Sequence, residues 1–280
     1  MHTLELGVVS LNVRHLKDQA TFYQELIGLD ILTQTDETVT LGIEADQQPL
    51  VELNQGVELV PRDTTTGLYH LALLLPSREA LSGKLRHFIE EKIAIGAADH
   101  GYSEALYLED PEGNGIEIYA DKPEVSWDKR SGDQIKGVTL ELKAAEILTL
   151  TEQAIVKMPT GTKMGHVHLS VASFVENEKF YREVLNFRLT DDLGGAARFF
   201  ALDGYHHHIG TNIWRGTNLE KRQKTALGIQ SFEMQWLTIE SFNGVKNNLL
   251  AHKLMVEEIT SNQFMTVDPN GIAIKMTLKK

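Results

Sequence analysis

The 280-residue sequence contains no cysteine, which excludes disulfide bonds, zinc–thiolate sites, iron–sulfur clusters and a cysteine nucleophile. Positive charge is also in deficit, since 27 lysines and arginines against 39 aspartates and glutamates leave a net charge of −12. That balance argues against binding to nucleic acid or to anionic membranes, because phosphate contacts need clustered cations. Long hydrophobic runs and a signal-peptide pattern are absent as well, so we expect a cytoplasmic protein without a membrane span.

What the sequence does contain is an ordinary globular composition, with 42% hydrophobic and 24% charged residues. Its length predicts roughly two domains that bury their cores without covalent cross-links. Eleven histidines in the absence of cysteine leave imidazole and carboxylate groups as the expected metal ligands.

The chain repeats itself. The segment that opens at Gly7 resembles the segment that opens at Gly165, 158 residues further on (165 minus 7). A Phe-Tyr-x-Glu motif and an Asp-Pro turn recur at the same offset; the copies lie at 22–25 and 180–183, and at 110–111 and 268–269. The sequence therefore predicts two duplicated repeats and a structured linker between them, with the boundaries 1–122, 123–163 and 164–280.

Each repeat divides again into two modules. Hydrophobic alternation and helical spacing predict the order strand, helix and three strands twice per repeat. The four βαβββ modules open near Gly7, Leu68, Gly165 and Gly228. This order predicts an α+β fold.

Four such modules in tandem resemble the vicinal-oxygen-chelate superfamily, which includes glyoxalases, bleomycin-binding proteins and extradiol dioxygenases. The resemblance implies that modules pair into two cupped mixed sheets with helices outside. It also implies metal ligands on the first and last strands of the modules that share a cup. Some members of the superfamily bind ligands without catalysis, so the fold by itself does not decide the reaction.

The strongest ligand candidates are His70 and Glu117 in module 2 and His166 in module 3. Strand alternation turns each of them away from its apolar neighbours and into the cup. Two histidines and one carboxylate form the facial triad of non-haem iron(II) oxygenases. The alternative is that the histidines are ordinary strand residues with hydrogen-bonded rings. A glutamate in an apolar strand favours the metal site, because an unpaired buried charge is costly.

Modules 1 and 4 offer no comparable set. Val8, Ser231 and Ala273 occupy the corresponding positions, and Glu52 is the only carboxylate on the last strand of module 1. One complete site therefore requires module 2 to pair with module 3 and module 1 with module 4. A second chain could complete the cup instead, which would make the protein a homo-oligomer.

A longer signature runs from His100 to Glu117, with Tyr107 and an Asp-Pro-x-Gly turn between them. The run resembles extradiol dioxygenases, and those of the bacillary catechol-2,3-dioxygenase type in particular. The resemblance implies that Glu117 is a metal ligand and that His100 and Tyr107 contact the substrate or an intermediate. The alternatives are a polar loop histidine and a strand tyrosine half buried in the core.

Residues 204–214 extend the same resemblance and carry three consecutive histidines, His206, His207 and His208. One of them is the expected base for the catechol proton, because imidazole titrates near neutral pH. Strand alternation favours His208, whereas register against more distant dioxygenases favours His207. His168 is expected to support a ligand and not to bind the metal itself.

Together these features favour a metal-dependent extradiol ring-cleaving dioxygenase of aromatic catabolism, which acts on a catechol-like substrate and dioxygen. The favoured metal is Fe(II), with Mn, Zn or Ni as alternatives. Two other functions stay open: a glyoxalase-type isomerase or transferase, and a non-catalytic protein that binds a small molecule.

Overall fold

A computed structural model describes residues 3–56 and 64–279. Residues 1–2 and 57–63 of the first predicted repeat, and residue 280, lie outside this range. The first half contains β1 (Leu4–Val13), α1 (Leu16–Thr21) with a π-helical turn (Phe22–Ile27), β2 (Asp30–Gln34), β3 (Thr38–Ile43), a 3₁₀ turn (Glu44–Asp46), β4 (Gln48–Gln55), β5 (Gly67–Leu74), α2 (Arg78–Glu90), β6 (Gly96–Asp99), β7 (Ser103–Glu109) and β8 (Gly115–Asp121).

The linker and the second half of the chain come next. The linker holds a 3₁₀ turn (Glu124–Ser126), β9 (Asp128–Lys129), β10 (Ile135–Lys136), β11 (Leu140–Glu141) and α3 (Ala144–Ile147). The second half contains β12 (Lys163–Ser170), α4 (Phe174–Glu178) with a π-helical turn (Lys179–Val184), β13 (Arg188–Asp192), β14 (Ala197–Ala201), β15 (Ile209–Asn212), β16 (Gly228–Trp236), α5 (Ile239–Ala251), β17 (Glu257–Thr260), β18 (Gln263–Val267) and β19 (Ala273–Leu278). Four βαβββ modules are present, as predicted.

The modules pair across the two repeats and not within them. Strand β5 of module 2 runs antiparallel to β12 of module 3, and β1 of module 1 runs antiparallel to β16 of module 4. The strand pairs form two mixed sheets, which are linked into one 17-stranded network. Their strand orders are β11-β6-β7-β8-β5-β12-β15-β14-β13 and β2-β3-β4-β1-β16-β19-β18-β17. They meet where Leu6 pairs with Met164.

The predicted pairing of module 2 with module 3 and of module 1 with module 4 is therefore confirmed. One chain completes each cup, so no second copy is needed for the fold. Because both sheets draw strands from both repeats, the boundaries 1–122, 123–163 and 164–280 stay a prediction about sequence repeats.

The duplicated motifs turn out to be physically coupled. The hydroxyl of Tyr23 in the first Phe-Tyr-x-Glu motif donates to Asp110 of the first Asp-Pro turn over 3.2 Å. The hydroxyl of Tyr181 donates to Asp268 of the second turn over 3.3 Å. All four side chains are buried, so each hydrogen bond offsets the cost of burying both partners. Each contact ties the helix of one module to the last turn of the next.

The linker is held against module 2 by Lys84 of α2. Its fully buried ammonium group donates to the backbone oxygen of Val156 over 2.8 Å and to that of Leu26 over 3.3 Å. The same Val156 oxygen would lie 2.0 Å from a side chain at Gly28, whose positive φ of 89° ends the first helix. Burial lowers the pKa of Lys84 to about 7, because carbonyl groups replace only part of its hydration.

This burial predicts a pH-dependent stability. Between pH 7 and pH 9 the native lysine loses its proton while the unfolded lysine keeps it, so rising pH stabilises the native state. The free energy of unfolding of the wild type should rise by about 2 kcal/mol relative to Lys84→Met over that range. Urea unfolding at the two pH values measures the difference. An unchanged difference would show that Lys84 titrates normally.

Candidate metal centre and cavity

Strand register brings the candidate ligands together in one row across the sheet that modules 2 and 3 form. Tyr107 of β7 lies opposite Glu117 of β8, which lies opposite Ala72 of β5, which lies opposite His166 of β12. Residues that pair across a sheet share a face, so these side chains project from the same surface. The methyl group of Ala72 leaves the space above it to its neighbours. His70 lies two residues before Ala72 and therefore projects from the same face.

The three side chains converge on one point. Nε2 of His70 lies 2.9 Å from Oε2 of Glu117, Nε2 of His166 lies 3.0 Å from the same oxygen, and the two nitrogens are 3.2 Å apart. All three residues are buried. Within the described parts of the chain, this is the one group of three histidine or acidic residues close enough to hold a metal ion.

Burial and hydrogen bonding set the charge states of this cluster. Burial opposes the ionisation of Glu117, but the adjacent imidazole groups of His166 and His70 outweigh it and hold the pKa of the carboxyl well below its ordinary value. Burial lowers the pKa of His166 to about 4, so this ring is neutral at pH 7. An ionised carboxylate beside a neutral imidazole is the protonation state that metal coordination requires.

The cluster forms the floor of a cavity of about 390 Å³. Its mouth carries Tyr69 and Trp214, which are 40% and 51% exposed and whose ring centroids lie 4.8 Å apart. The wall also includes Phe199 and two further histidines, His168 and His207. A cavity of this size with aromatic walls and a polar floor suits a small ring-shaped ligand that carries polar groups.

His100 and Tyr107 both line this cavity. Nδ1 of His100 lies 2.8 Å from the backbone oxygen of Val138 in the linker, and Nε2 lies 2.6 Å from the Tyr107 hydroxyl. A carbonyl only accepts, so Nδ1 of His100 donates to Val138, and Nε2 is the nitrogen that shares a hydrogen bond with the Tyr107 hydroxyl. Burial, with the negative charge of Glu117, raises the pKa of Tyr107 well above its ordinary value, which keeps the phenol protonated.

The three consecutive histidines do not lie where strand alternation predicts. His207 lines the cavity, with its ring centroid 4.1 Å from that of His166. His208 lies outside it and lines a second cavity with Met164 and Tyr205. The assignment of His208 to the shared cavity is therefore wrong. Alternation fails here because β15 begins only at Ile209, so these histidines belong to an irregular segment.

His168 lies opposite His70 across the β5–β12 pair, and their ring centroids are 4.9 Å apart. It lies outside the three-residue cluster, as expected. Burial lowers the pKa of His168 well below its ordinary value, and its Nε2 has no hydrogen-bond partner among the described side chains and backbone. Gly210 makes room for the ring, since a side chain there would lie 2.9 Å from Cγ of His168.

The equivalent cup of modules 1 and 4 contains no such cluster in the described ranges. In module 4, Ser231 lies opposite Ala273, and Glu233 lies opposite Lys275. The equivalent pairs in module 2 are His70 with Gly115 and Ala72 with Glu117. The position of Glu117 is therefore taken by Lys275, and the assignment of Ala273 to it is wrong. Nζ of Lys275 lies 3.6 Å from Glu233, so an ammonium group stands where a metal ligand would be needed.

The model of the Glyoxalase/Bleomycin resistance protein/Dioxygenase superfamily matches residues 5–118. The catechol-2,3-dioxygenase of Bacillus subtilis (strain 168) is 38% identical over 271 residues, which are 94% of this chain and 93% of that protein. The chain belongs to this superfamily.

Solved structures agree with the superfamily fold. The cppA protein from Streptococcus pneumoniae TIGR4 has a TM-score of 0.61 at 14% identity, with 100% of this chain and 98% of that chain covered. Glyoxalase I from Zea mays has a TM-score of 0.55 at 15% identity, with 99% and 92% covered. At these identities the likeness shows the fold alone. None of the described helices is both long and apolar enough to cross a bilayer.

Two residues near the cluster, Tyr119 and Tyr205, were not predicted from the sequence. The ring of Tyr119 lies 5.0 Å from that of His166, and its hydroxyl lies 2.8 Å from the Tyr205 hydroxyl. The only signal in the sequence was that Tyr119 lies two residues after Glu117, so both project from the same face of the strand. Gly165 allows this packing, because a side chain there would lie 1.9 Å from the Tyr119 hydroxyl.

We expect Gly165→Ala to destabilise this superfamily member by about 1–3 kcal/mol, because the added methyl group displaces Tyr119 in a close-packed site. Gly67→Ala is the matched control on the paired strand, since no heavy atom of the described residues lies within 4 Å of the added carbon. Its effect should stay within about 1 kcal/mol. Thermal or urea unfolding compares the two. Equal stabilities would contradict the close approach.

Proposed function

We propose that the protein is a metal-dependent extradiol ring-cleaving dioxygenase that acts on a catechol-like aromatic substrate. The observation that carries the proposal is the buried cluster of His70, Glu117 and His166 on the floor of an aromatic-walled cavity. The catechol-2,3-dioxygenase relative at 38% identity supports the same reaction class.

The donor set fits a divalent metal ion. Two donors at right angles, each about 2.1 Å from an ion, lie about 3.0 Å apart. The three measured separations are 2.9, 3.0 and 3.2 Å. Two imidazoles and one carboxylate form a facial triad, which favours Fe(II); Mn, Zn and Ni accept the same donors. When bound, such an ion would lower the pKa of the diol hydroxyls and offer positions for the diol and for dioxygen.

The chain's own residues supply binding and proton transfer. The aromatic side chains Tyr69, Phe199 and Trp214 form apolar surface for the substrate ring and exclude water. His207 faces the cavity beside His166 and takes the proton from a diol hydroxyl. His100 and Tyr107 form a hydrogen-bonded pair next to Glu117 that contacts the reacting oxygen atoms.

The first test is metal content. The wild type should bind about one divalent ion per chain, and Glu117→Ala should lose it, because two imidazoles then remain. Glu52→Ala is the control: its carboxylate lies in the other cup, where it accepts a hydrogen bond from Ser10 over 2.9 Å. Elemental analysis after anaerobic purification measures occupancy and identifies the metal. Full occupancy in Glu117→Ala would refute the proposed ligand set.

The second test is turnover. Supplied with Fe(II) and catechol, the wild type should consume oxygen and form a yellow ring-opened semialdehyde. His207→Ala should retain the metal and lower kcat by about 10²–10⁴, the usual contribution of a positioned acid or base. His208→Ala is the matched control, because that ring lies outside the cavity.

A larger loss in His208→Ala than in His207→Ala would refute the assignment of the base. No turnover on a panel of substituted catechols, with iron verified in place, would reject the dioxygenase. The isomerase or transferase and the non-catalytic binding protein would then be the remaining functions.

A further inference from the structure

Behind His207 lies a hydrogen-bonded row of side chains that the dioxygenase proposal does not use. Nδ1 of His207 lies 2.8 Å from Nδ1 of His206, and Nε2 of His206 lies 2.8 Å from Oδ1 of Asp121. The other carboxylate oxygen, Oδ2, accepts from the Tyr205 hydroxyl over 3.0 Å. The row thus leads from the cavity to Asp121, which lines the second cavity and whose side chain is 24% exposed.

The proton positions in this row follow from hydrogen-bond chemistry. An ionised carboxylate only accepts, so Nε2 of His206 carries the proton that it shares with Asp121. When His206 carries no second proton, its Nδ1 is unprotonated and accepts from Nδ1 of His207. A neutral His207 with its proton on Nδ1 has an unprotonated Nε2. Because Nδ1 is engaged with His206, Nε2 is the nitrogen left to the cavity that His207 lines.

Packing holds the middle ring in place. His206 is stacked on Tyr102, with ring centroids 4.2 Å apart and planes 9° apart, and its ring centroid lies 4.0 Å from that of Tyr205. Its backbone oxygen accepts from the hydroxyl of Thr190 over 2.6 Å. A fully buried ring between two aromatic side chains cannot exchange its two nitrogens without disturbing both. The orientation of the His206 ring in the row is therefore fixed by its packing.

We propose that Asp121 and His206 are positioning residues that hold His207 in the tautomer whose unprotonated Nε2 is presented to the cavity. This inference rests on the proposed function for its catalytic meaning, since that nitrogen is the atom that would accept the substrate proton. Among the described residues, only His206 bonds to Nδ1 of His207. Without that bond, the neutral ring could carry its proton on Nε2 instead of Nδ1.

The direct test is ¹⁵N NMR of the full chain labelled at histidine and loaded with diamagnetic Zn(II). The wild type should show His207 with a protonated Nδ1 and an unprotonated Nε2. His206→Phe and Asp121→Ala should both shift His207 toward the Nε2-protonated form. Tyr205→Phe is the matched control, because it removes the other hydrogen bond to Asp121 but leaves the one from His206, and the tautomer should persist.

Turnover provides the second readout. With Fe(II) and catechol, Asp121→Ala should lower kcat by about 10–10² with KM nearly unchanged, because the substrate contacts are retained. An Nε2-protonated His207 in the wild type, or an unchanged tautomer in both His206→Phe and Asp121→Ala, would overturn the inference. An inactive wild type with the expected tautomer would instead reject the dioxygenase and leave the positioning row intact.

Discussion

The antiparallel pairing of β5 with β12 is the interaction on which the candidate site depends. It sets His70 opposite His168 and Ala72 opposite His166, so two modules from different repeats share one row of side chains. The parallel β5–β8 pair then adds Glu117 opposite Ala72. A shift of one residue in the β5–β12 pair would turn His166 away from His70, and a shift in the β5–β8 pair would turn Glu117 away from it. The reason is that side chains alternate between the two faces of a strand.

The same duplicated architecture builds a second cup with different chemistry. There β1 and β16 pair as β12 and β5 do, yet the three ligand positions hold Val8, Ser231 and Lys275. The Lys275 ammonium group beside Glu233 provides an internal cation, so a buried carboxylate is compensated without metal. Among the described residues, the group that could hold a metal ion therefore lies in the cup of modules 2 and 3, although both cups derive from one repeated pattern.

The linker and the irregular segments also position side chains around the cluster. Val138 of the linker accepts the hydrogen bond that orients His100, and Lys84 fastens the linker to α2. His207 enters the cavity from the segment before β15. Neutral rings in a buried site are costly unless they are hydrogen-bonded, and the row through His206 to Asp121 meets that need on one side of the cavity.

Sequence alone was enough to predict the duplication, the four modules, the pairing of module 2 with module 3 and the inward direction of His70, Glu117 and His166. These features follow from the period of two in a regular strand, which hydrophobic neighbours reveal. Tertiary structure decided that His207 and not His208 faces the cavity and that Asp121 lies behind the site, whereas the 158-residue repeat offset by itself aligns Lys275 with Glu117. The placements of His207 and Asp121 depend on an irregular segment and on contacts between residues 85 positions apart, and local sequence patterns carry no information about either.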